Sequence, residues 1–444
     1  MATLSVFEIT PERLRVWGVR SCLSLVDQGF TSGSSFLLNV LLARWLAKEA
    51  YGAFGVCFAG FLFTSGFHNV MFIEPMTVIG PSRYSHRLTE YFAAQLKAHM
   101  VLVGVLSAIS ILAGAVLALA HFQSSLVRAT LAAGVSIPFI LLLWLARRMC
   151  YVVQDPLIAV QGSVAYSILL IAGALGLRRF EWLTPGTAFL CMACASFVVS
   201  LFILHRLGVS VSLWSVRTPF GMRGLLNENW EYAHWLTLTT ALCWISVQVQ
   251  TLLAASLLGL ASAGALRAMQ LPSLAMTQVI GAATLLVLPS MSQELGRGNV
   301  ARLRKKAILT TIFLTTVGSL FVVALFFFVR PIENLLYDGK YASWSWLIPV
   351  LGFVPVFTGF TSSLSLALRA LRKSHLELLA YTLSAIVALV LSLILMPRWG
   401  LPGAAAAIVG STATAAVAIL VCFVRWGKSD RGSSENALSP VDGL

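Results

Sequence analysis

Long apolar runs separated by short polar segments recur along the whole chain. Each run supplies the ~20 residues that an α-helix needs to cross the hydrocarbon core of a bilayer. The pattern therefore predicts an all-α integral membrane protein. The twelve predicted transmembrane helices lie near residues 20–43, 51–76, 99–120, 129–147, 157–177, 184–204, 230–256, 262–289, 307–329, 343–368, 376–396 and 402–424.

The longest internal link between these runs divides the predicted helices into two sets of six. We therefore predict an N-terminal lobe (1–206), a cytoplasmic linker (207–229), a C-terminal lobe (230–424) and a polar cytoplasmic tail (425–444). No loop has the ~50 residues that a separate catalytic domain typically needs.

A weak internal repeat lies at the turn after the first span of each half. Residues 41–54 align with residues 253–266 at a constant shift of 212 positions. Halves with an even number of spans form parallel repeats, and transporters of that plan bind substrate between the halves. The repeat predicts two pseudo-symmetric six-helix lobes with substrate bound between them.

Composition excludes most other classes of protein. Of the 444 residues, 58% are hydrophobic and 11% are charged, whereas soluble domains carry about 25% charged residues. A soluble globule of this size cannot bury so much apolar surface. The composition also argues against a disordered chain and a secreted disulfide scaffold.

The charges indicate an orientation. The formal net charge is +14, and most of the 31 Lys and Arg residues fall on one side of the predicted topology. This bias predicts a multi-pass protein of the inner (plasma) membrane with both termini in the cytoplasm. Because the basic clusters lie between apolar runs, we expect them to face anionic membrane lipids rather than nucleic acid.

The first predicted span carries a polar stripe. Plotted at 100° per residue, its polar side chains fall in one arc about 100° wide, formed by Arg20, Ser24, Asp27, Thr31, Ser34 and Ser35. Such a stripe should face water or a polar partner and not lipid. The alternative is a helix–helix seam of small residues, which by itself does not account for Asp27.

The eighth predicted span carries Arg267, with Gln270 and Gln278 on a similar face. The long side chain of Arg267 either reaches the membrane surface or serves a cavity. Arginine offers a planar fork that can pair with two oxygens of an anionic group. In the seventh span Gln248 and Gln250 point about 200° apart, so only one of them can face a cavity.

Glu74 precedes Pro75 near the inner end of the second span, and proline bends a helix and frees a carbonyl. Glu74 is therefore a candidate proton- or cation-responsive group at a hinge. The equally weighted alternative is a surface carboxylate that pairs with Arg83 or Arg87. We interpret Arg147 and Arg148 as positive-inside anchors.

Motifs of enzymes are absent from the sequence. Gly427, Lys428 and Ser429 resemble the end of a P-loop, but no glycine precedes them at the required spacing, so no ATP site is expected. No metal-ligand spacing and no nucleophile motif occurs. We therefore expect no catalytic residue, cofactor or metal, and an ion gradient, the membrane potential or use of the product as the source of energy.

Four segments resemble motifs of the oligosaccharidyl-lipid (Wzx-type) flippases of the multidrug/oligosaccharidyl-lipid/polysaccharide exporter superfamily. Residues 41–56 resemble the turn after that family's first span, and residues 287–299 resemble the end of its eighth. Residues 334–353 and 396–411 resemble the entries into its tenth and last spans. The first of these turns departs from the family at Trp45-Leu46-Ala47, where a Leu-Gly is usual.

The resemblance implies two six-helix lobes around a central cavity. It implies a flippase that moves an undecaprenyl-diphosphate-linked oligosaccharide from the cytoplasmic to the outer leaflet by alternating access. It implies lipid-linked oligosaccharide and membrane lipids as partners, with a polysaccharide polymerase and a chain-length regulator as further candidates. The candidate ion-coupling residues are Asp27 and Glu74. The candidate substrate-binding residues are Arg20, Asp27, Thr31, Arg267, Gln270 and Gln248.

Two other functions remain open. An ion-coupled exporter of small amphiphilic cations on the same fold would need acidic groups to dominate its cavity. A membrane-embedded sugar polymerase or ligase typically carries a large external loop, which this chain lacks.

Overall fold

A computed structural model of the chain describes residues 11–209, 221–296, 299–371 and 374–436. Within these ranges the chain forms twelve long helices, which confirms the predicted all-α fold. They are α1 (Pro11–Trp45), α2 (Lys48–Arg83), α3 (Leu88–Leu119), α4 (Ser124–Val152), α5 (Pro156–Arg179), α6 (Pro185–Arg206), α7 (Met222–Leu258), α8 (Leu260–Gly296), α9 (Val300–Tyr337), α10 (Leu347–Arg369), α11 (Ser374–Trp399) and α12 (Leu401–Asn436).

Ten of these helices are long and apolar enough to cross a membrane, judged by the length and composition of the described residues. The chain is therefore a multi-pass membrane protein. The two helices outside this group are α1 and α8, which carry Asp27 and Arg267 respectively.

Local sequence explains where two of the helices begin. The α6 helix begins with a capping box, in which the Thr184 side chain accepts from the Thr187 N–H and the Thr187 hydroxyl accepts from the Thr184 N–H. The Asn299 side chain accepts from the Arg302 N–H at 2.9 Å and caps α9. These side chains satisfy N–H groups that have no partner inside the helix.

The α2 helix changes its winding part-way along. It is α-helical over Lys48–His68, forms a π-helical turn over Asn69–Ile73 and is α-helical again over Glu74–Arg83. Pro75 has no N–H to donate to the carbonyl four residues earlier, so the regular ladder is broken just before it. The irregularity falls beside the predicted hinge, and single π-turns are frequent at functional sites.

The chain divides into two compact units. Unit 1 comprises the chain up to Asn39 together with Thr64–Thr237, and unit 2 comprises Val40–Phe63 together with Leu238 onward. The lobe boundaries drawn from sequence stay a prediction.

In unit 2 the first turns of α2 and α8 cross at glycines. A Cβ added to Gly52 would lie 1.8 Å from the Leu260 carbonyl oxygen, and one added to Gly264 would lie 2.3 Å from the Lys48 carbonyl oxygen. Gly52 and Gly264 occupy equivalent positions in the internal repeat, as do Lys48 and Leu260. The contact is therefore reciprocal, and small residues permit this approach of two backbones.

Candidate functional site

Asp27 lies at the centre of a buried polar cluster in unit 1. The side chain of this residue on α1 is 2% exposed. One carboxylate oxygen accepts from Arg147 Nη2 at 2.6 Å and from the Tyr151 hydroxyl at 2.5 Å. The other accepts from the Ser163 hydroxyl. We call Asp27, Arg147, Tyr151 and Ser163 the Asp27 cluster.

The rest of the polar stripe continues along the same neighbours. Thr31 donates to the Ser163 hydroxyl at 3.1 Å, and Arg20 Nη1 donates to Gln154 Oε1 at 2.9 Å. The sequence allowed either water or a polar partner beside this stripe. In the structure the stripe contacts polar side chains of α4, of α5 and of the turn between them. Protein side chains therefore cover the Asp27 carboxylate, and its candidate roles in substrate binding and ion coupling stay predictions.

Arg147 is the residue whose role the sequence analysis missed. It was interpreted as a cytoplasmic anchor, yet its side chain is 13% exposed and pairs with Asp27. A buried carboxylate needs such a partner, because an isolated charge at membrane depth is costly. The available signal was the i, i+4 spacing of Arg147 and Tyr151, which places both on one face of α4.

Glu74 lies directly after the π-turn and is half-buried. The Asn69 side chain donates to its Oε1 at 2.9 Å, and Arg148 interacts with it electrostatically. Arg83 pairs with Glu228, and the alternative in which Glu74 pairs with Arg83 or Arg87 stays a prediction. The proposed coupling role of Glu74 stays a prediction.

Glu228 also accepts from the Tyr84 hydroxyl at 3.0 Å. Burial, followed by this hydrogen bond, raises the pKa of Tyr84, which lies between α2 and α3. The phenol therefore keeps its proton and continues to donate as the pH rises through the ordinary range of tyrosine.

Two buried histidines meet beside the π-turn. His68 Nε2 and His99 Nδ1 lie 2.8 Å apart, so one ring donates and the other accepts. The Phe72 ring lies 5.5 Å from the His68 ring and 6.1 Å from the His99 ring, centroid to centroid. A neutral imidazole carries one donor and one acceptor nitrogen, so the two rings can share this hydrogen bond.

Arg267 is buried in unit 2. Its side chain is 6% exposed, its guanidinium carbon lies 5.6 Å from the centroid of the Phe58 ring, and it interacts electrostatically with Tyr51. No carboxylate of the described residues forms an ion pair with it, and its Nε–H has no hydrogen-bond partner there. The packing excludes the alternative in which its side chain extends to the membrane surface.

The glutamines of unit 2 differ in environment. Gln250 is 1% exposed, and its amide donates to the Ser246 carbonyl and to the Ser411 hydroxyl. Gln248 is half-buried, so it remains the more accessible of the two. Gln270 is buried at 9% exposure, on the same helix as Arg267.

No protein-family model matches the chain. No curated protein sequence matches it.

Solved structures match over nearly the whole chain. An inward-facing multidrug resistance MATE family transporter of the MOP superfamily matches with a TM-score of 0.77 at 13% identity, covering 93% of this chain and 96% of that one. The lipid II flippase MurJ, in an inward closed conformation, matches with a TM-score of 0.71 at 14% identity, covering 91% and 87%. The fold is that of MOP superfamily transporters.

A third matching structure differs from these two in the description of its binding pocket. A MOP superfamily transporter from Pyrococcus furiosus, described as having a binding pocket of reversed polarity, matches with a TM-score of 0.69 at 14% identity. The match covers 93% of this chain and 94% of that one. At these identities the likeness establishes the fold, which hosts proteins of more than one function.

Proposed function

We propose that this protein is a flippase that moves an undecaprenyl-diphosphate-linked oligosaccharide from the cytoplasmic to the outer leaflet by alternating access. The proposal places it in the inner membrane with both termini in the cytoplasm, and it assigns the product to polysaccharide export. A polymerase and a chain-length regulator are its proposed partners.

The observation that carries this choice is the balance of charge at membrane depth. The Asp27 carboxylate is neutralised by Arg147, whereas Arg267 has no carboxylate partner among the described residues. A transporter of cations needs an uncompensated acid, and a transporter of a diphosphate needs an uncompensated base. The fold shared with a lipid II flippase supports the same class of substrate.

The direct test is a flipping assay with the purified full chain in proteoliposomes. The probe is a short-chain prenyl diphosphate that carries a sugar and a dithionite-sensitive fluorophore. We expect dithionite to quench probe in both leaflets when the protein is present and only the outer-leaflet probe when it is absent. Quenching that stops at the outer leaflet in both samples would contradict the proposal.

Replacing Arg267 with Gln should lower the flipping rate by about 10–100-fold, the worth of one hydrogen-bonded charge. The same change should leave thermal stability unchanged or raise it, because it removes a buried charge that lacks an anionic partner. The measurements are the initial quenching rate and the melting midpoint in detergent.

The control for Arg267 is Arg178→Gln, which removes an exposed charge at the end of α5. We expect this variant to flip the probe at the original rate. A fall in both stability and flipping for Arg267→Gln would assign Arg267 a structural role instead.

Export of small amphiphilic cations is the second candidate, favoured by the match to a MATE transporter. It predicts that cells lacking the protein become more susceptible to cationic drugs. The flippase proposal predicts unchanged susceptibility and an internal accumulation of lipid-linked single repeat units.

A further inference from the structure

A long groove runs along α11 and α12 in unit 2. Its volume is about 970 Å³, and its lining extends from residue 375 to 383 on α11 and from residue 413 to 425 on α12. Small side chains such as Ala380 and Ala418 line it, together with the larger exposed side chains of Leu379, Leu383 and Val417. The lining is therefore apolar over most of its length.

The helices are held close together beyond one end of the groove. A Cβ added to Gly403 would lie 2.2 Å from the Leu395 carbonyl oxygen. Ser384 Oγ donates to the Ser411 carbonyl at 2.8 Å. The groove begins directly after this hydrogen bond, so the close contact between α11 and α12 sets this end of the groove.

Two basic side chains occupy the other end. His375 begins the lining on α11 and Arg425 ends it on α12, and both are exposed. These ends are level with each other, because Cys422 Sγ lies 4.0 Å from the Leu376 carbonyl oxygen. Thr414, a polar residue further along, donates its hydroxyl to the Gly410 carbonyl. The groove thus combines an apolar body with a cationic end.

The length of the groove matches one leaflet of a bilayer. At 1.5 Å per residue, the helix from Ala413 to Arg425 spans about 18 Å. Half of a hydrocarbon core ~30 Å thick is ~15 Å. A lipid chain that enters at the level of Arg425 therefore ends near the mid-plane of the membrane.

We propose that this groove is a binding site for an anionic glycerophospholipid of the leaflet on the Arg425 side. The phosphate lies against Arg425 and His375, and one acyl chain lies along Leu383 and Val417. Arginine pairs with phosphate through two hydrogen bonds, and basic residues at the membrane surface attract anionic lipids. The site does not depend on which substrate the protein carries.

The experiment is photocrosslinking of the full chain in phosphatidylcholine vesicles that contain phosphatidylglycerol as the minor lipid. Val417 is replaced with p-benzoylphenylalanine, and the crosslinked lipids are identified by mass spectrometry. We expect phosphatidylglycerol to be enriched about fivefold over its share of the vesicle, the effect of one basic residue. Combining this change with Arg425→Gln should remove the enrichment.

The matched control carries p-benzoylphenylalanine at Val323, an exposed position on α9. Its adducts should follow the composition of the vesicle. Equal adducts at the two positions, or an enrichment that survives Arg425→Gln, would overturn the proposal. Displacement of phosphatidylglycerol by an equal amount of undecaprenyl phosphate would overturn the choice of occupant and assign the groove to a prenyl chain.

The variants remain interpretable because Val417 and Arg425 are exposed, and exposed substitutions usually change stability very little. Flipping activity is measured on the same samples. A failed crosslinking result with normal flipping rejects this site alone, and normal crosslinking without flipping rejects the proposed transport function alone.

Discussion

Replacing Asp27 with Asn will lower the free energy of unfolding by about 3–5 kcal/mol, the usual cost of removing one partner from a buried ion pair. The change leaves the Arg147 guanidinium without its carboxylate and weakens the bonds from Tyr151 and Ser163. Unfolding in mixed micelles titrated with sodium dodecyl sulfate measures the loss.

The double variant Asp27→Asn with Arg147→Met separates pairing from other effects. It removes both charges, so we expect it to be more stable than Asp27→Asn alone. Asp155→Asn is the matched control, because this carboxylate lies in the same unit and is exposed. If the loss of stability in the double variant equals the sum of the losses in Asp27→Asn and Arg147→Met, Asp27 and Arg147 are not coupled.

Asp27→Asn should affect the abundance of the protein in the membrane as well as its flipping rate. The Asp27 cluster predicts that abundance falls as well, because a loss of this size unfolds a sizeable fraction of a marginally stable protein. Flipping must therefore be expressed per folded molecule. A role in ion coupling requires that this specific rate falls.

Hydropathy along the chain was sufficient to predict the helices. Span length and apolar content are local properties of the sequence, so ten of the twelve helices in the described residues follow from them. The partner of Asp27 could not be predicted in this way. Helical periodicity shows which face of α1 avoids lipid, but it does not identify the helix that covers that face, and Arg147 is 120 positions away.

The same limit applies to Arg267. The sequence indicates its depth in α8, but the rotation of α8 against α2 decides whether the guanidinium packs on Phe58 or extends outward.

The charge bias also misled the interpretation of Arg147. Arginines near the cytoplasmic end of a span satisfy the positive-inside pattern whether they face lipid headgroups or a buried acid. Only a three-dimensional contact distinguishes the two.

Replacing Gly52 with Ala will destabilise the protein by about 3 kcal/mol, the upper range for overpacking in a tight contact. The new methyl group meets the Leu260 carbonyl oxygen at 1.8 Å, so one helix has to shift because no flexible side chain can move aside. Gly264→Ala should act in the same direction, since its Cβ meets the Lys48 carbonyl oxygen. The measurement is the same unfolding titration.

Gly60→Ala on the same helix is the matched control, because nothing lies within 4 Å of a Cβ placed there. Alanine is the better helix former by up to about 1 kcal/mol, so this variant should be as stable as the original protein or more so. The two substitutions on α2 therefore have opposite expected effects on stability.

Gly52 and Gly264 meet at one crossing, so the double variant should lose less stability than the sum of the two single losses. A helix that is already displaced by one methyl group accommodates the second. Stability retained in Gly52→Ala would show that the two repeat-related backbones do not approach this closely.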